Sequence, residues 1–250
     1  MLLALLAALQ ILPDAELERR AVSLPLLQGR SGDWTIGVCA GIQGRVVLPF
    51  GFVEDGFVTI AGNALVVDDH LGYDDLFDPG LGVTLEVDIL FRPPPPRPGG
   101  PPWGDGPAMG LYVAVERDRF GGNAATDEAG VRILPDDWDL RSVFAGFKAQ
   151  GIVQGPFYGD LRAGLGWVSY PSLDAEFTGP GASGRGELFA ESDGLGFETR
   201  MHFGARVGPL GFTFGFGSRF MVGPDPGPAV DLDPGPLWTL ELELGAELNF

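Results

Sequence analysis

Residues 237–250 read LWTLELELGAELNF, and apolar and polar side chains alternate along this stretch without a break. The apolar positions are Trp238, Leu240, Leu242, Leu244, Ala246, Leu248 and Phe250, and the positions between them are Thr239, Glu241, Glu243, Gly245, Glu247 and Asn249. Successive side chains of a β-strand point to opposite faces, so a period of two predicts a strand with one apolar and one polar face.

The same period recurs in seven other segments. Charges stay on one face in residues 82–91, 108–116 and 197–207, and the alternation is weaker in residues 33–43, 142–150, 157–170 and 211–221. Eight such strands predict an all-β fold, an antiparallel up-and-down transmembrane β-barrel that forms a single domain over residues 33–250. A secreted soluble β-sandwich that binds carbohydrate or protein also alternates in this way and is the competing interpretation.

The connections between these segments sort by length if the chain starts on the periplasmic side. Residues 151–156 and 208–210 become short periplasmic turns, residues 118–141, 171–196 and 222–236 become long outer loops, and the Pro-rich residues 92–107 form an unusually long periplasmic turn. Residues 44–81 are ambiguous, because residues 46–53 and 57–65 look like a hairpin. This hairpin either adds two membrane strands, giving ten, or extends the first outer loop; we favour eight strands with an outer hairpin.

Aromatic side chains on the apolar faces gather near the strand ends. Those expected near the periplasmic ends are Trp34, Phe91, Phe157, Phe212 and Phe250, and those near the outer ends are Trp167, Phe197, Phe220 and Trp238. Two belts of outward aromatic residues are typical of a protein that meets both interfaces of a bilayer, whereas a sandwich core has no reason to produce them.

Charged residues on the polar faces are expected to converge in the barrel interior. They are Glu86, Asp88, Glu116, Lys148, Asp160, Arg162, Glu198, Arg200, His202, Arg206, Arg219, Glu241, Glu243 and Glu247. An eight-stranded barrel is just wide enough for its own side chains to fill it. The mixture of signs therefore predicts an interior network of ion pairs rather than an open pore.

Composition excludes several classes of protein. The 40 glycines and 22 prolines are incompatible with a helix-rich fold. A net charge of −18 argues against nucleic-acid binding, which needs clustered Lys and Arg. The one cysteine, Cys39, excludes an internal disulfide and a cysteine-based zinc site, and we expect it to pack as a small residue within a strand.

The N-terminal residues 1–12, MLLALLAALQIL, are as apolar as the core of a secretory signal. We expect a signal peptide over residues 1–15. The positive residues that usually precede such a core are missing, and a start site placed too late in the sequence would account for this. A buried terminal helix ending at Pro13 is the competing interpretation.

Two histidines are the candidates for chemistry. His202 lies among charges on a polar strand face, where we expect it to join a salt network. His70 lies near Asp68, Asp69, Asp74 and Asp75 without the spacing of an EF-hand, and this acidic loop is expected to be solvated, as are the groups Asp136, Asp137, Asp139 and Asp225, Asp231, Asp233. We therefore expect no catalytic residue, metal or cofactor. The alternative is a lipid-modifying enzyme, which would need either histidine beside a Ser or carboxylate.

The C-terminal strand resembles the signal by which outer-membrane proteins are recognised by the barrel-assembly machinery. Leu242, Leu244, Leu248 and Phe250 occupy the expected positions, whereas Ala246 is smaller than the residue often found there. Residues 66–75, VVDDHLGYDD, also resemble a segment that follows the first hairpin in OmpA/OmpW-like barrels. The resemblance implies a monomeric integral protein of the bacterial outer membrane, in contact with its lipid and with the assembly machinery. Such barrels share an architecture without sharing an activity, and a structural or surface-loop role, with passive passage or binding of a small solute, is expected.

Overall fold

The computed structural model describes residues 35–60, 62–67, 71–92, 108–154, 156–228 and 230–250. Their strands in chain order are β1 (Thr35–Phe50), β2 (Phe52–Ile60), β3 (Asn63–Val67), β4 (Leu71–Gly72), β5 (Gly80–Arg92), β6 (Ala108–Phe120), β7 (Ala125–Thr126), β8 (Arg132–Pro135), β9 (Trp138–Gln154), β10 (Phe157–Tyr170), β11 (Leu173–Gly179), β12 (Ala182–Phe189), β13 (Ser192–Val207), β14 (Leu210–Met221), β15 (Val230–Pro234) and β16 (Leu237–Asn249), and a short helix, α1, spans Tyr73–Leu76. Within these ranges no helix is long and apolar enough to cross a membrane.

Eight strands close into an antiparallel barrel. Their order around it is β1, β5, β6, β9, β10, β13, β14 and β16, and β16 pairs again with β1 from Cys39 opposite Asn249 to Phe50 opposite Trp238. Each strand therefore neighbours the barrel strands that come before and after it in the chain. The predicted eight-stranded up-and-down barrel is confirmed, and the ten-stranded alternative is wrong, because β2 and β3 lie outside the barrel.

The first barrel strand is longer than the sequence pattern predicts. β1 continues to Phe50 with Arg45 and Val47 facing inward, so residues 44–50 belong to the barrel and not to the predicted outer hairpin. The chain leaves the barrel at Gly51, whose φ of 121° favours glycine. A Cβ at this position would also collide with the carbonyl oxygen of Pro236.

The outer connections, predicted from the sequence as long loops and a hairpin, fold into two small sheets. One sheet has the strand order β12, β11, β8, β7; the other has the order β15, β2, β3, with β4 also paired to β2. Side chains of one sheet reach the other, since Ile60 of β2 packs where a Cβ of Gly184 in β12 would lie. We call residues 51–79, 121–137, 171–191 and 222–236 the outer domain.

The predicted signal peptide and most of the Pro-rich turn at residues 92–107 lie outside the described residues. The periplasmic turns between the remaining strands are short: β13 and β14 are joined by Gly208 and Pro209, and Gly208 has a φ of 62°. Strand β9 runs to Gln154, so that most of the predicted turn at residues 151–156 is strand.

Candidate functional site

The outer half of the barrel interior holds one charged cluster centred on Glu116 of β6. The guanidinium of Arg45 lies 2.8 Å from this carboxylate and that of Arg219 lies 2.9 Å away, and Arg200 also donates to it. Asp118, one inward position further along β6, binds Arg45 and Arg219, each at 2.7 Å. All these side chains are almost completely inaccessible to solvent, so each charge depends on its partners.

Two more acids complete this outer cluster. Glu241 of β16 accepts from Arg219 and from the hydroxyl of Thr239 at 3.1 Å. Glu198 of β13 lies 2.6 Å from Arg200 and accepts a hydrogen bond of 2.6 Å from the hydroxyl of Tyr112. The cluster thus joins side chains from β1, β6, β13, β14 and β16 across the interior.

The inner half holds a second cluster around Arg162 of β10. Its Nε lies 2.8 Å from Asp160, and its Nη1 donates to Glu86. Lys148 of β9 binds Glu86 at 3.4 Å and also contacts Asp88. Charges of opposite sign are again paired across neighbouring and facing strands.

His202 connects the two clusters. Its Nδ1 lies 3.1 Å from Asp160 and its Nε2 contacts Glu243, which is also 3.3 Å from Arg200. Because both ring nitrogens face carboxylate oxygens and the ring is fully buried, neither nitrogen is open to a substrate. This position suits a structural link within the salt network.

The periplasmic end of the interior is closed by polar and aromatic contacts. The guanidinium of Arg206 lies 4.5 Å from the centre of the Tyr158 ring and donates to Gln150 at 2.8 Å and to Glu247 at 3.2 Å. The thiol of the buried Cys39 donates to Asn249 at 3.0 Å.

The outer end of the interior is apolar. Val168, Tyr170 and Met221 are fully buried there and belong to the same core as the buried side chains of both outer sheets. The interior is therefore filled by ion pairs through most of its height and by an apolar core at the outer mouth.

The structure places all the interior residues expected from the sequence inside the barrel, and it adds others. Sequence reasoning missed Arg45 and Asp118, because the first was assigned to a hairpin and the second to an outer loop. Both lie on the inward face of their strands, β1 and β6, at positions that continue the alternation of polar and apolar residues. Following that alternation to the ends of the two strands would have identified them. Tyr112 of β6 also faces the interior, where its hydroxyl donates to Glu198.

Glycines facing the interior make room for the larger side chains of this network. A Cβ at Gly215 of β14 would collide with the His202 ring, and a Cβ at Gly164 would collide with the Tyr112 hydroxyl. We expect Gly215→Ala to lower the free energy of unfolding by about 1–3 kcal/mol, because a packed interior does not accept an extra methyl group. Urea unfolding of the barrel in lipid vesicles measures this loss. Gly44→Ala is the matched control, since its Cβ would meet no atom within 4 Å, and an equal loss in both variants would contradict the packing argument.

The barrel exterior carries exposed apolar side chains where a soluble protein carries polar ones. In β6 the burial alternates at every residue, with Met109, Leu111, Val113 and Val115 exposed. The aromatic residues Phe91, Phe157, Trp167, Phe197, Phe212, Phe220, Trp238 and Phe250 are all exposed on this surface, and Trp34 lies outside the described residues. Charges inside and apolar side chains outside exclude the soluble sandwich as the fold of these strands.

The acidic groups of the outer domain are dispersed. Asp136, Asp137 and Asp139 pair with Arg185, Arg119 and Arg117, respectively. His70, Asp68 and Asp69 lie outside the described residues. Among the residues that the structure describes, no group of three or more His, Cys, Asp or Glu side chains could hold a metal ion.

Comparison with known proteins finds only distant structural similarity. No family model and no curated protein matches the chain. Similar solved structures include Neisserial surface protein A, 12% identical with a TM-score of 0.39 over 87% of this chain and 99% of that one. Another is Ail, the attachment invasion locus protein of Yersinia pestis, in complex with the heparin analogue sucrose octasulfate. It is 12% identical, with a TM-score of 0.37 over 86% of this chain and 99% of that one. A third is a major outer membrane protein from Thermus thermophilus, which is 13% identical, with a TM-score of 0.39 over 85% of this chain and 99% of that one.

The similarity to these structures is too low to carry an argument about activity or ligands, and the location of the chain follows from its own geometry. A closed barrel satisfies every backbone hydrogen bond between its strands and leaves no open edge, which is what the hydrocarbon of a bilayer demands. With an apolar exterior and a charged interior, the chain is an integral β-barrel of the bacterial outer membrane.

Proposed function

We propose that the chain is a non-conducting barrel whose role is to hold the outer domain rigidly at the cell surface. The observation that carries this proposal is the single apolar core shared by the upper barrel and both outer sheets. Long barrel loops without such a core would move independently of the strands that they connect.

Aromatic stacking ties the outer domain to the barrel rim. Trp138, the first residue of β9, stacks on Phe77 with ring centres 5.2 Å apart and on Tyr170 at 5.6 Å. Its ring also lies 5.3 Å from that of Phe189 in β12. Two outer connections thus meet at one barrel residue, which supports a platform that displays a fixed surface.

The core continues beneath α1. The Tyr73 hydroxyl donates to the carbonyl oxygen of Gly235 at 3.0 Å, which links the first outer connection to the last. Burial raises the pKa of this hydroxyl, so it stays protonated and keeps its role as a donor at physiological pH.

The filled interior supports a role without passive passage of solutes. Water and small ions need a continuous polar path, whereas the charged side chains bind each other and Val168, Met221 and their apolar neighbours close the outer mouth. The side chains proposed to fill the interior also include His202, so we assign that residue a structural rather than a catalytic role.

Purified, folded protein is expected to produce no stepwise conductance in planar bilayers at high salt, because no water-filled route crosses the barrel. A shift in electrophoretic mobility between heated and unheated samples verifies that the protein is folded. A porin inserted in the same bilayers is the positive control. Reproducible conductance steps from the folded protein would refute the proposed non-conducting role and favour solute passage.

We further propose that the C-terminal strand directs assembly and that the barrel is a monomer in outer-membrane lipid. β16 pairs with β14 on one side and with β1 on the other, so the last strand closes the barrel. The backbone N–H of Phe250 donates to Val38 at 2.8 Å, and its ring faces outward, where an assembly factor could contact it.

Phe250→Ser is expected to reduce the amount of folded protein in the outer membrane several-fold, because the terminal aromatic side chain of the recognition signal is lost. The readout is the heat-dependent mobility shift of the membrane fraction. Phe212→Ser removes another exposed aromatic residue near the same end of the barrel and serves as the control. Equal losses in both variants would indicate a general effect of lipid-facing aromatic residues instead of a signal.

A further inference from the structure

The outer end of the lipid-facing surface carries a group of exposed arginines. Arg117 and Arg119 extend outward from β6, and Arg141 extends outward from β9. Among the arginines whose side chains the structure describes, the other exposed ones are Arg132 and Arg185, in β8 and β12. Three of the five exposed arginines whose side chains the structure describes are therefore concentrated at one place, in a chain with a net charge of −18.

The strand register sets two of these arginines against each other. Arg117 lies directly opposite Arg141 in the β6–β9 pair, and like charges in this arrangement destabilise a sheet. Arg117 donates to Asp139 at 2.8 and 3.0 Å, and Arg119 donates to Asp137 at 2.7 Å. Arg141 has no ion pair with any described residue, so the group keeps an excess positive charge.

The acids in the group do not remove this excess by changing protonation. The hydrogen bond from Arg119, together with one from the backbone of Gly122, holds the pKa of Asp137 below its usual range. Asp137 is therefore ionised at neutral pH and neutralises Arg119 alone. The charge that lacks a partner lies between Arg117 and Arg141.

An apolar groove begins directly below the arginine pair. Pairing across β5, β6, β9 and β10 forms an outward row of Leu85, Val115, Val143 and Trp167. The next outward row toward the outer end is Val83, Arg117, Arg141 and Ser169. These two rows line one continuous groove on the barrel exterior. An anionic headgroup and an acyl chain would meet the two rows in the same order.

We propose that this groove binds one phosphorylated lipid of the outer leaflet. The guanidinium groups of Arg117 and Arg141 hold the phosphate through charge-assisted hydrogen bonds, and the hydroxyl of Ser169 is placed to donate another. An acyl chain lies along Val115 and Val143 beside the Trp167 ring. The bound phosphate supplies Arg141 with the ion-pair partner that it lacks among the described residues. The site requires only that the barrel lie in a membrane.

Native mass spectrometry of the folded protein in a neutral detergent tests this proposal. The probes are dioleoyl phosphatidic acid and dioleoyl phosphatidylcholine, which have the same acyl chains. We expect one molecule of phosphatidic acid to bind in preference to phosphatidylcholine. Each arginine contributes roughly fivefold to the binding of an anionic lipid, so Arg117→Gln/Arg141→Gln should weaken phosphatidic acid binding by roughly twentyfold or more.

The control variant Arg132→Gln/Arg185→Gln removes the same number of exposed charges from the outer domain and should bind like the unaltered protein. The single variant Arg141→Gln breaks no ion pair and keeps the test valid if the double variant folds poorly. Equal weakening in the two double variants, or no preference for phosphatidic acid, would overturn the site. Displacement of the lipid by inorganic phosphate would show that the anion alone is recognised and would overturn the lipid assignment. Conductance by the barrel would refute the proposed function and leave this site standing.

Discussion

Glu116→Ala is expected to lower the free energy of unfolding of the barrel by about 3–5 kcal/mol, because it leaves buried charges without their partner. Glu116 binds Arg45, Arg200 and Arg219, and it also accepts hydrogen bonds from Ser142 at 3.3 Å and Thr84 at 3.4 Å. Removing the carboxylate takes one shared partner from three buried guanidinium groups, which then have only the remaining acids of the interior, such as Asp118 and Glu198, to balance them. Urea unfolding in lipid vesicles measures the loss.

Two further variants test whether charge pairing causes this loss. Glu116→Gln keeps the size and the hydrogen-bonding oxygen but removes the charge, so its loss should be smaller than that of Glu116→Ala. Glu128→Ala removes an exposed carboxylate of the outer domain and should change the free energy of unfolding little. If Glu116→Ala were no more destabilising than Glu128→Ala, water would have to enter the interior and solvate the arginines, and the filled-barrel description would be wrong.

Trp138→Ala is expected to destabilise the outer domain by about 3–5 kcal/mol, since it removes a buried aromatic ring that contacts four others. Its ring is 1% exposed, and its indole N–H donates to the carbonyl oxygen of Pro171 at 3.2 Å. The barrel strands keep their own hydrogen bonds and ion pairs. We therefore expect the outer connections to become sensitive to protease while the heat-dependent mobility shift of the barrel remains.

Limited proteolysis of intact cells or vesicles, followed by heated and unheated electrophoresis, separates these two effects. Phe57→Ala is the control, because this phenylalanine is an exposed aromatic residue of the same domain. Unchanged protease resistance of Trp138→Ala would mean that the outer sheets do not depend on the barrel rim, and the display proposal would lose its main support. Loss of the mobility shift would show that domain and barrel form one cooperative unit.

The barrel interior and the outer domain, which these variants test, are stabilised by different interactions. The interior network is held by pairs of opposite charge that exclude water, and the outer domain is held by burial of aromatic and aliphatic side chains. The apolar side chains of the barrel face the lipid, so the barrel does not need an apolar interior and its interior can be polar. The outer domain lies in water and needs an ordinary apolar core.

Much of the barrel could be predicted from the alternation of side chains. The period of two in residues 237–250 assigned Glu241 and Glu243 to the interior and Trp238 and Phe250 to the lipid side, and the structure places them there. This inference is local, because the pleat of a strand decides the face of each side chain whatever its neighbours are. Strand ends were less certain, and Arg45 and Asp118 were missed for that reason.

The sequence alone determined which side chains of each strand share the charged face and which share the apolar face, since that conclusion needs only the direction of each side chain. It predicted a transmembrane barrel, with a soluble sandwich as the alternative. Only the tertiary structure decided which charges bind each other, as with Arg45 and Asp118, which are 73 residues apart. It also decided that the outer connections form two sheets over one core, because their short strands pair between distant segments, as in β15 with β2. Register and closure bring such residues together, and no local pattern records those long-range partners.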